Sequence, residues 1–140
     1  MPFYSDCAAG SGLQRVERQT SDGMVRLCAQ EDRLLVVVSG EPPGTALLEC
    51  FEAARAEGWL HHSMRTLVDM RRFVGVVDWQ SINRLRQIAD WGDVEGKTRT
   101  AYLVRNDGFA PLVKIASTLF RCCQHRTFTD HDLAVAWLDA

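Results

Sequence analysis

The stretch LVDMRRFVGVVDWQSINRL, residues 67–85, contains the change of pattern that decides the fold. It begins inside the apolar run TLVDM (66–70), which is typical of a strand buried on both faces. After Asp78, Ile82 and Leu85 recur at the spacing of one helix face. Aspartate is a preferred helix N-cap. The stretch is therefore predicted to be a strand, a loop and a helix that Asp78 caps.

The same alternation of strand and helix runs through most of the chain. Further strands are predicted at MVRLCAQ (24–30), LLVVV (34–38), TAYLV (100–104) and RTF (126–128). Further helices are predicted at 45–57 with Thr45 as cap, at 111–120, and after the capping pair Thr129 and Asp132. The order ββαβαβαβα predicts an α/β fold with four main helices and a mainly parallel sheet that has an antiparallel edge hairpin.

The N-terminal segment does not share this pattern. Residues 1–22 contain a Gly-Ser-Gly break at 10–12 and are predicted to form an irregular arm, although 13–20 is compatible with a strand. Residues 23–140 are predicted to be a single domain. A chain of 140 residues is long enough to bury a core without added cross-links.

Composition and charge exclude several classes of function. The net charge is -2 and there is no basic run, which argues against a nucleic-acid partner. The five cysteines are odd in number and irregularly spaced, so no disulfide framework is predicted. No apolar segment reaches the ~20 residues of a membrane span, and the first twenty residues lack the core of a signal peptide. A cytoplasmic location is the simplest expectation.

Three segments resemble a known family. LVDMRRFVG with a helix soon after it, TAYLVRNDGFAPLVKIASTLF and HRTFTDHDLAVAWL are similar to STAS domains of anti-sigma-factor antagonists, and more closely to SpoIIAA-like proteins, over about residues 23–139. The resemblance implies a non-enzymatic module that binds a partner protein, and the residues themselves predict no cofactor or metal. It also implies a relation in fold to the lipid-binding CRAL-TRIO domains, and with it an apolar ligand or peripheral membrane contact.

The family's phosphorylation switch is altered in this chain. STAS antagonists have a phosphorylated serine directly after the aspartate at the helix mouth. Here Trp79 follows Asp78, and Ser81 comes two residues later. Ser81 is therefore the candidate acceptor in an alternative hypothesis of a phospho-regulated antagonist, with Thr45 as a second acceptor.

The carboxyl ends of the strands form the predicted binding edge, because ligands of open α/β sheets bind there. Its residues are Arg71, Arg72, Phe73, Val74, Val76, Val77, Asp78, Trp79, Asn106, Asp107 and Phe109. One interpretation is a binding surface, with Arg105 adding charge; the other is that Asp78 and Asp107 cap the helices and pair with the arginines. The loop FVGVV (73–77) is either exposed or part of the core. An exposed loop would tolerate aspartate at Phe73 and Val76.

No catalytic or metal-binding motif was found. The spacing of Cys122, Cys123 and His125 matches no zinc pattern, and Asp69 is a lone carboxylate that either has a raised pKa or accepts hydrogen bonds. The sequence hypothesis is a non-catalytic module that binds a partner protein or an apolar small molecule or lipid. A homodimer remains open.

Overall fold

The computed structural model describes residues 13–61, 63–88, 98–106, 117, 120–121 and 123–140. The strands are β1 (Gln14–Gln19), β2 (Gly23–Gln30), β3 (Arg33–Gly40), β4 (Arg65–Phe73), β5 (Thr98–Leu103) and β6 (Cys123–Phe128). The helices in this part of the chain are α1 (Gly44–Ala56), α2 (Trp79–Ile88) and α3 (His131–Asp139). The predicted helix at 111–120 lies outside the described residues except for Ser117 and Phe120.

The six strands form one sheet in the order β1-β2-β3-β4-β5-β6. The first three strands are antiparallel neighbours, and β3 to β6 are parallel. Each parallel strand lies beside the one that precedes it in the chain. The predicted α/β class, the parallel sheet and the antiparallel edge are confirmed.

The sheet begins earlier than predicted. Residues 14–19 pair with β2 along their whole length, so the prediction of an irregular arm is wrong for this segment. Val16 packs against the core, and Glu17 accepts a 2.7 Å bond from Arg26 on β2. An edge strand has one face open to water and needs few apolar residues. The polar composition of QRVERQ therefore gave no clear sequence pattern for this strand.

Apolar side chains cover both faces of the sheet. On one face Val25, Leu27 and Val36 pack with α1 and α2 residues such as Phe51 and Leu85. The opposite face is covered by α3, where Leu67, Leu103 and Leu138 pack together. Continuous apolar runs such as LLVVV are explained by this two-sided burial.

Two of the predicted helix caps are wrong. The N-cap position of α1 is Pro43, which makes no side-chain cap bond, and Thr45 lies inside the helix. The cap of α3 is Asp130, whose Oδ1 accepts from the Leu133 N–H at 3.1 Å, so the proposed pair of Thr129 and Asp132 does not form the cap. An aspartate directly before a helix has a side chain short enough to accept from the N–H of the third helical residue.

Among the described cysteines, Cys50 and Cys123 are free thiols. Cys28 is disulfide-bonded, which the sequence did not predict. The location of the protein stays a prediction. No helix among the described residues has the length and apolar character needed to cross a bilayer.

Candidate functional site

A cavity of about 180 Å³ lies between the sheet and the helices α1 and α2. Its described walls come from the strands, from both helices, and from the loops that precede the helices. The strands contribute Val25, Val36, Val38, Thr66, Val68, Met70, Phe73, Thr100, Tyr102 and His125, and the rest of the chain contributes Pro42, Pro43, Gly44, Leu47, Phe51, Val76, Val77, Asp78, Trp79, Ser81, Ile82, Leu85 and Phe120. The walls are mainly apolar.

Apolar side chains line the cavity on its sheet side and on its helix side. Val36, Val38 and Val68 lie on the strands, and Phe51 and Leu85 lie on the helices. Val68 lies on a strand inside the sheet and still remains partly exposed. Its side chain lines the cavity.

A bulge in β4 directs Phe73 into this space. Between Val37 and Ser39, β3 advances by two residues, whereas β4 advances by three, from Asp69 to Arg72. One extra residue reverses the faces of the residues that follow. Phe73 thereby joins Met70 and Val104 in a small cluster and is only 5% exposed. Simple alternation from Met70 would have placed it on the other face.

The loop that follows Phe73 is exposed at alternate positions. Val74 is 61% exposed and Val76 is 89% exposed, whereas Val77 is half-buried and packs near Phe73. Both interpretations of FVGVV are therefore partly right, with Phe73 in the core and two valines on the surface. The expectation that aspartate would be tolerated at both Phe73 and Val76 is wrong for Phe73.

Asp78 stands at the beginning of both helices that cover the cavity. Its Oδ1 accepts from the N–H groups of Gln80 at 3.1 Å and Ser81 at 3.3 Å, which confirms it as the cap of α2. Gly44, the first residue of α1, lies so close that a Cβ there would overlap the Asp78 side chain. Hydrogen bonds from the hydroxyl and amide of Ser81 lower the pKa of Asp78. The Asp78 carboxylate therefore occupies the position at the N-termini of α1 and α2 where another anion would bind.

Ser81 is held by the same carboxylate. Its hydroxyl donates to Asp78 Oδ2 at 2.9 Å, and the residue is 7% exposed. A phosphate on this oxygen would lie beside a negative charge and would have to leave a buried position, at an electrostatic cost. Thr45, by contrast, is exposed on the first turn of α1. Phosphorylation at either residue stays a prediction.

The arginines of the predicted edge lie away from the cavity. Arg71 forms two bonds with Asp69, from Nε to Oδ1 at 3.1 Å and from Nη2 to Oδ2 at 2.9 Å. Burial alone would raise the pKa of Asp69, but the bonds from Arg71 hold it below its ordinary value. The expected pairing of the arginines with the helix caps is thus wrong for Arg71, and a raised pKa for Asp69 is also wrong.

Other residues of the predicted edge are divided between the cavity and the surface. Arg72, Val74 and Asn106 are exposed and are not among the described residues that line the cavity, whereas Arg105 donates weakly to the carbonyl of Phe73 at 3.5 Å. Asp107 and Phe109 lie outside the described residues. The structure brings together five members of the predicted set around the cavity, namely Phe73, Val76, Val77, Asp78 and Trp79.

One series of hydrogen bonds joins polar groups in the otherwise apolar wall. The hydroxyl of Tyr102 lies 2.9 Å from His125 Nδ1, and His125 Nε2 lies 3.0 Å from the carbonyl oxygen of Phe120. A carbonyl oxygen can only accept, so Nε2 carries the hydrogen. In the neutral ring Nδ1 is then an acceptor, and Tyr102 donates to it.

Comparison with known proteins supports the fold alone. No family model matches the chain, and no curated protein matches it. A crystal structure of an uncharacterized protein of the DUF3478 family from Shewanella loihica PV-4, described as having a SpoIIAA-like fold, superposes with a TM-score of 0.54. The superposition covers 91% of this chain and 94% of the other at 15% identity. The chain has a SpoIIAA-like fold. This finding confirms the resemblance in fold that the sequence indicated.

Within the SpoIIAA-like fold, sequence reasoning missed the hydrogen bond between Tyr102 and His125. A signal was present, because Thr100 and Tyr102 alternate on one face of a predicted buried strand. In the parallel register Thr100 lies opposite His125. The pairing of β5 with β6 was needed to place the histidine on the same face, and no local pattern contains that register.

Acid is expected to destabilise the SpoIIAA-like domain through His125. Burial lowers the pKa of His125 below its ordinary value of 6.5, against a smaller opposing effect of the bond to Phe120. Above the unfolded pKa the ring is neutral in both states. As the pH falls through that value and towards the lowered one, the unfolded chain binds the proton first and stability is lost. A difference of one pH unit between the two pKa values corresponds to about 1.4 kcal/mol.

The measurement is urea unfolding as a function of pH for the natural protein and for His125→Gln. The natural protein should lose more stability than the variant between neutral pH and about pH 5, where carboxylates begin to contribute. Parallel stability curves for the two proteins over this interval would contradict the neutral, buried state of His125.

Proposed function

We propose that this SpoIIAA-like domain is a non-catalytic module that binds a small apolar ligand between its sheet and the helices α1 and α2. The observation that carries the proposal is the cavity of about 180 Å³ with mainly apolar walls. Protein interiors are close-packed, and voids larger than a water molecule are few. A space of this size costs stability unless something fills it.

The volume limits the kind of ligand. An engineered apolar cavity of about 150 Å³ stays free of water and binds benzene. The present cavity therefore suits one aromatic ring with a short substituent, or the end of a longer apolar chain that enters between the β4–α2 loop and the helices. A larger ligand would require the helices to move.

The groups around the cavity support binding without chemistry. Burial raises the pKa of Tyr102, which keeps its hydroxyl protonated, and burial lowers the pKa of His125, which keeps its ring neutral. A nucleophilic mechanism needs a nucleophile whose proton a base can take. With the tyrosine proton retained, the pair of Tyr102 and His125 does not supply an activated nucleophile.

Toluene is a suitable probe for the proposal. At about ten times its dissociation constant it should stabilise the domain by about 1.4 kcal/mol, and it should raise the melting temperature by about 4 to 6 °C for a chain of this length. Thermal unfolding followed by circular dichroism measures this shift. A melting temperature that is unchanged or lowered at every toluene concentration would contradict the proposal.

Contact with a partner protein or a membrane is a second candidate, and the exposed pair Val74 and Val76 favours it. These side chains are 61% and 89% exposed, and Val76 also lines the cavity. An apolar surface beside a ligand cavity is suited to delivery of an apolar molecule. The Val76→Asp variant, which should stay folded, should lose binding to partner or vesicle if this loop makes the contact.

A further inference from the structure

The hydroxyl groups of the strands that line the cavity are hydrogen-bonded to protein atoms. Thr66 donates to the carbonyl oxygen of Met64 at 3.3 Å. Thr100 Oγ1 lies 3.0 Å from Cys123 Sγ, and this thiol donates to the carbonyl oxygen of Gln124 at 3.6 Å. Thr100 and Cys123 share this bond, and either atom can be its donor. Both threonine hydroxyls are thus engaged with protein partners.

The hydroxyl of Tyr102 is also bonded to a protein atom, and Tyr102 is the most exposed of the three hydroxyl-bearing residues. Its hydrogen goes to His125 Nδ1, because Nε2 must donate to the Phe120 carbonyl. A phenolic oxygen that donates once can still accept. Tyr102 lines the cavity and remains partly exposed, whereas Thr66 and Thr100 are 3% and 4% exposed. The strand wall thus offers an acceptor at the Tyr102 oxygen, whose own hydrogen is used by His125.

Charge around the cavity disfavours an anionic ligand. No lysine or arginine is found among the described residues that line the cavity. Asp78, which also lines it, has a pKa that the Ser81 bonds hold low, so this group is negative at neutral pH. A carboxylate that entered would lose its hydration beside the negative charge of Asp78, and no lysine or arginine among the described lining residues would offset this cost.

We propose that the ligand of this cavity is a neutral apolar molecule with one hydrogen-bond donor, such as an alcohol or a phenol, and that the Tyr102 oxygen accepts this hydrogen. The proposal rests on the function proposed above and specifies its ligand class. His125 acts as a positioning residue, because its Nδ1 takes the tyrosine hydrogen and leaves the oxygen as an acceptor. A buried acceptor that has no donor is unfavourable, so a ligand that supplies a donor to it gains affinity.

Four probes of similar size distinguish a ligand with a hydrogen-bond donor from ligands that lack a donor or carry a negative charge. Phenol has a donor, anisole has only an acceptor, toluene has neither, and benzoate is an anion at neutral pH. Isothermal titration calorimetry of the natural protein should give a dissociation constant for phenol about tenfold below that for anisole, the effect of one hydrogen bond. Toluene should bind, and benzoate should not bind detectably.

Two variants test the role of the residues. In His125→Leu the tyrosine hydrogen loses its acceptor and becomes available to the ligand, so anisole should gain affinity relative to phenol. In the double variant Tyr102→Phe with His125→Leu both polar groups are absent, and phenol should lose its advantage over anisole while toluene still binds. Circular dichroism checks that each variant is folded. If either variant does not fold, the four probes and the nuclear magnetic resonance signals of the His125 ring nitrogens still decide the question in the natural protein.

The outcomes distinguish this inference from the function on which it rests. Equal affinities for phenol and anisole, or a hydrogen on Nδ1 of His125, would overturn the donor preference while toluene binding would leave the apolar site in place. Failure of all the neutral probes to bind would overturn both proposals. Tight binding of benzoate would overturn the inference by revealing a donor or cation in the site.

Discussion

The Phe73→Asp variant is expected to lose most of its folded population, whereas Val76→Asp, which introduces the same residue three positions later, is expected to leave the protein folded. Phe73 is 5% exposed and packs with Met70 and Val104 at the end of β4. Removal of a buried phenylalanine side chain costs about 3–5 kcal/mol. A carboxylate in its place adds a desolvation cost, and the whole domain is stable by only about 5–15 kcal/mol.

Val76 provides the matched control because its side chain is 89% exposed. A substitution at such a position usually changes the free energy of unfolding by less than about 0.5 kcal/mol. Urea unfolding of both variants and the natural protein measures the two effects. Similar unfolding midpoints for Phe73→Asp and the natural protein would show that Phe73 is not in the core and that the bulge in β4 is misplaced.

The Val68→Phe variant is expected to abolish the binding of toluene while keeping the fold. Val68 lies on β4 with its side chain in the cavity, so a larger ring there should occupy the space that a ligand needs. Overpacking of a full core costs about 1–3 kcal/mol, but filling an existing cavity commonly stabilises a protein by about 0.5–2 kcal/mol. We therefore expect an equal or higher melting temperature without toluene and no shift with it.

Val74→Phe is the control for this variant. It makes the same change at a position that is 61% exposed and is not among the described residues lining the cavity. Its toluene-induced shift in melting temperature should equal that of the natural protein. Persistence of the shift in Val68→Phe, or its loss in Val74→Phe, would place toluene outside the cavity.

The repeating part of the fold could be predicted from the sequence because its signals are local. Runs such as LLVVV and TAYLV have the composition of strands buried on both faces, and Asp78 is a local capping signal. The strand at 14–19 was not predicted, since an edge strand that packs mainly through Val16 has little apolar pattern. The apolar pattern of a strand is clear only where the strand is well buried, and this strand is mostly exposed.

The candidate site could be predicted only in part because it depends on register and packing. Sequence reasoning found the cavity-lining residues Phe73, Val76, Val77, Asp78 and Trp79, which lie within one short segment of the chain. The inward turn of Phe73 depends on one extra residue in β4, and a bulge leaves no unique mark in the sequence. Likewise, the meeting of Tyr102 with His125 depends on the pairing of β5 and β6.

X-ray diffraction from crystals of the natural protein grown with toluene is the most direct test of the central claim, that an apolar cavity between sheet and helices receives the ligand. The account predicts electron density for one aromatic ring in contact with Val68, Phe73 and Leu85. Closely packed side chains in that space, or toluene density only at other sites on the molecule, would contradict it.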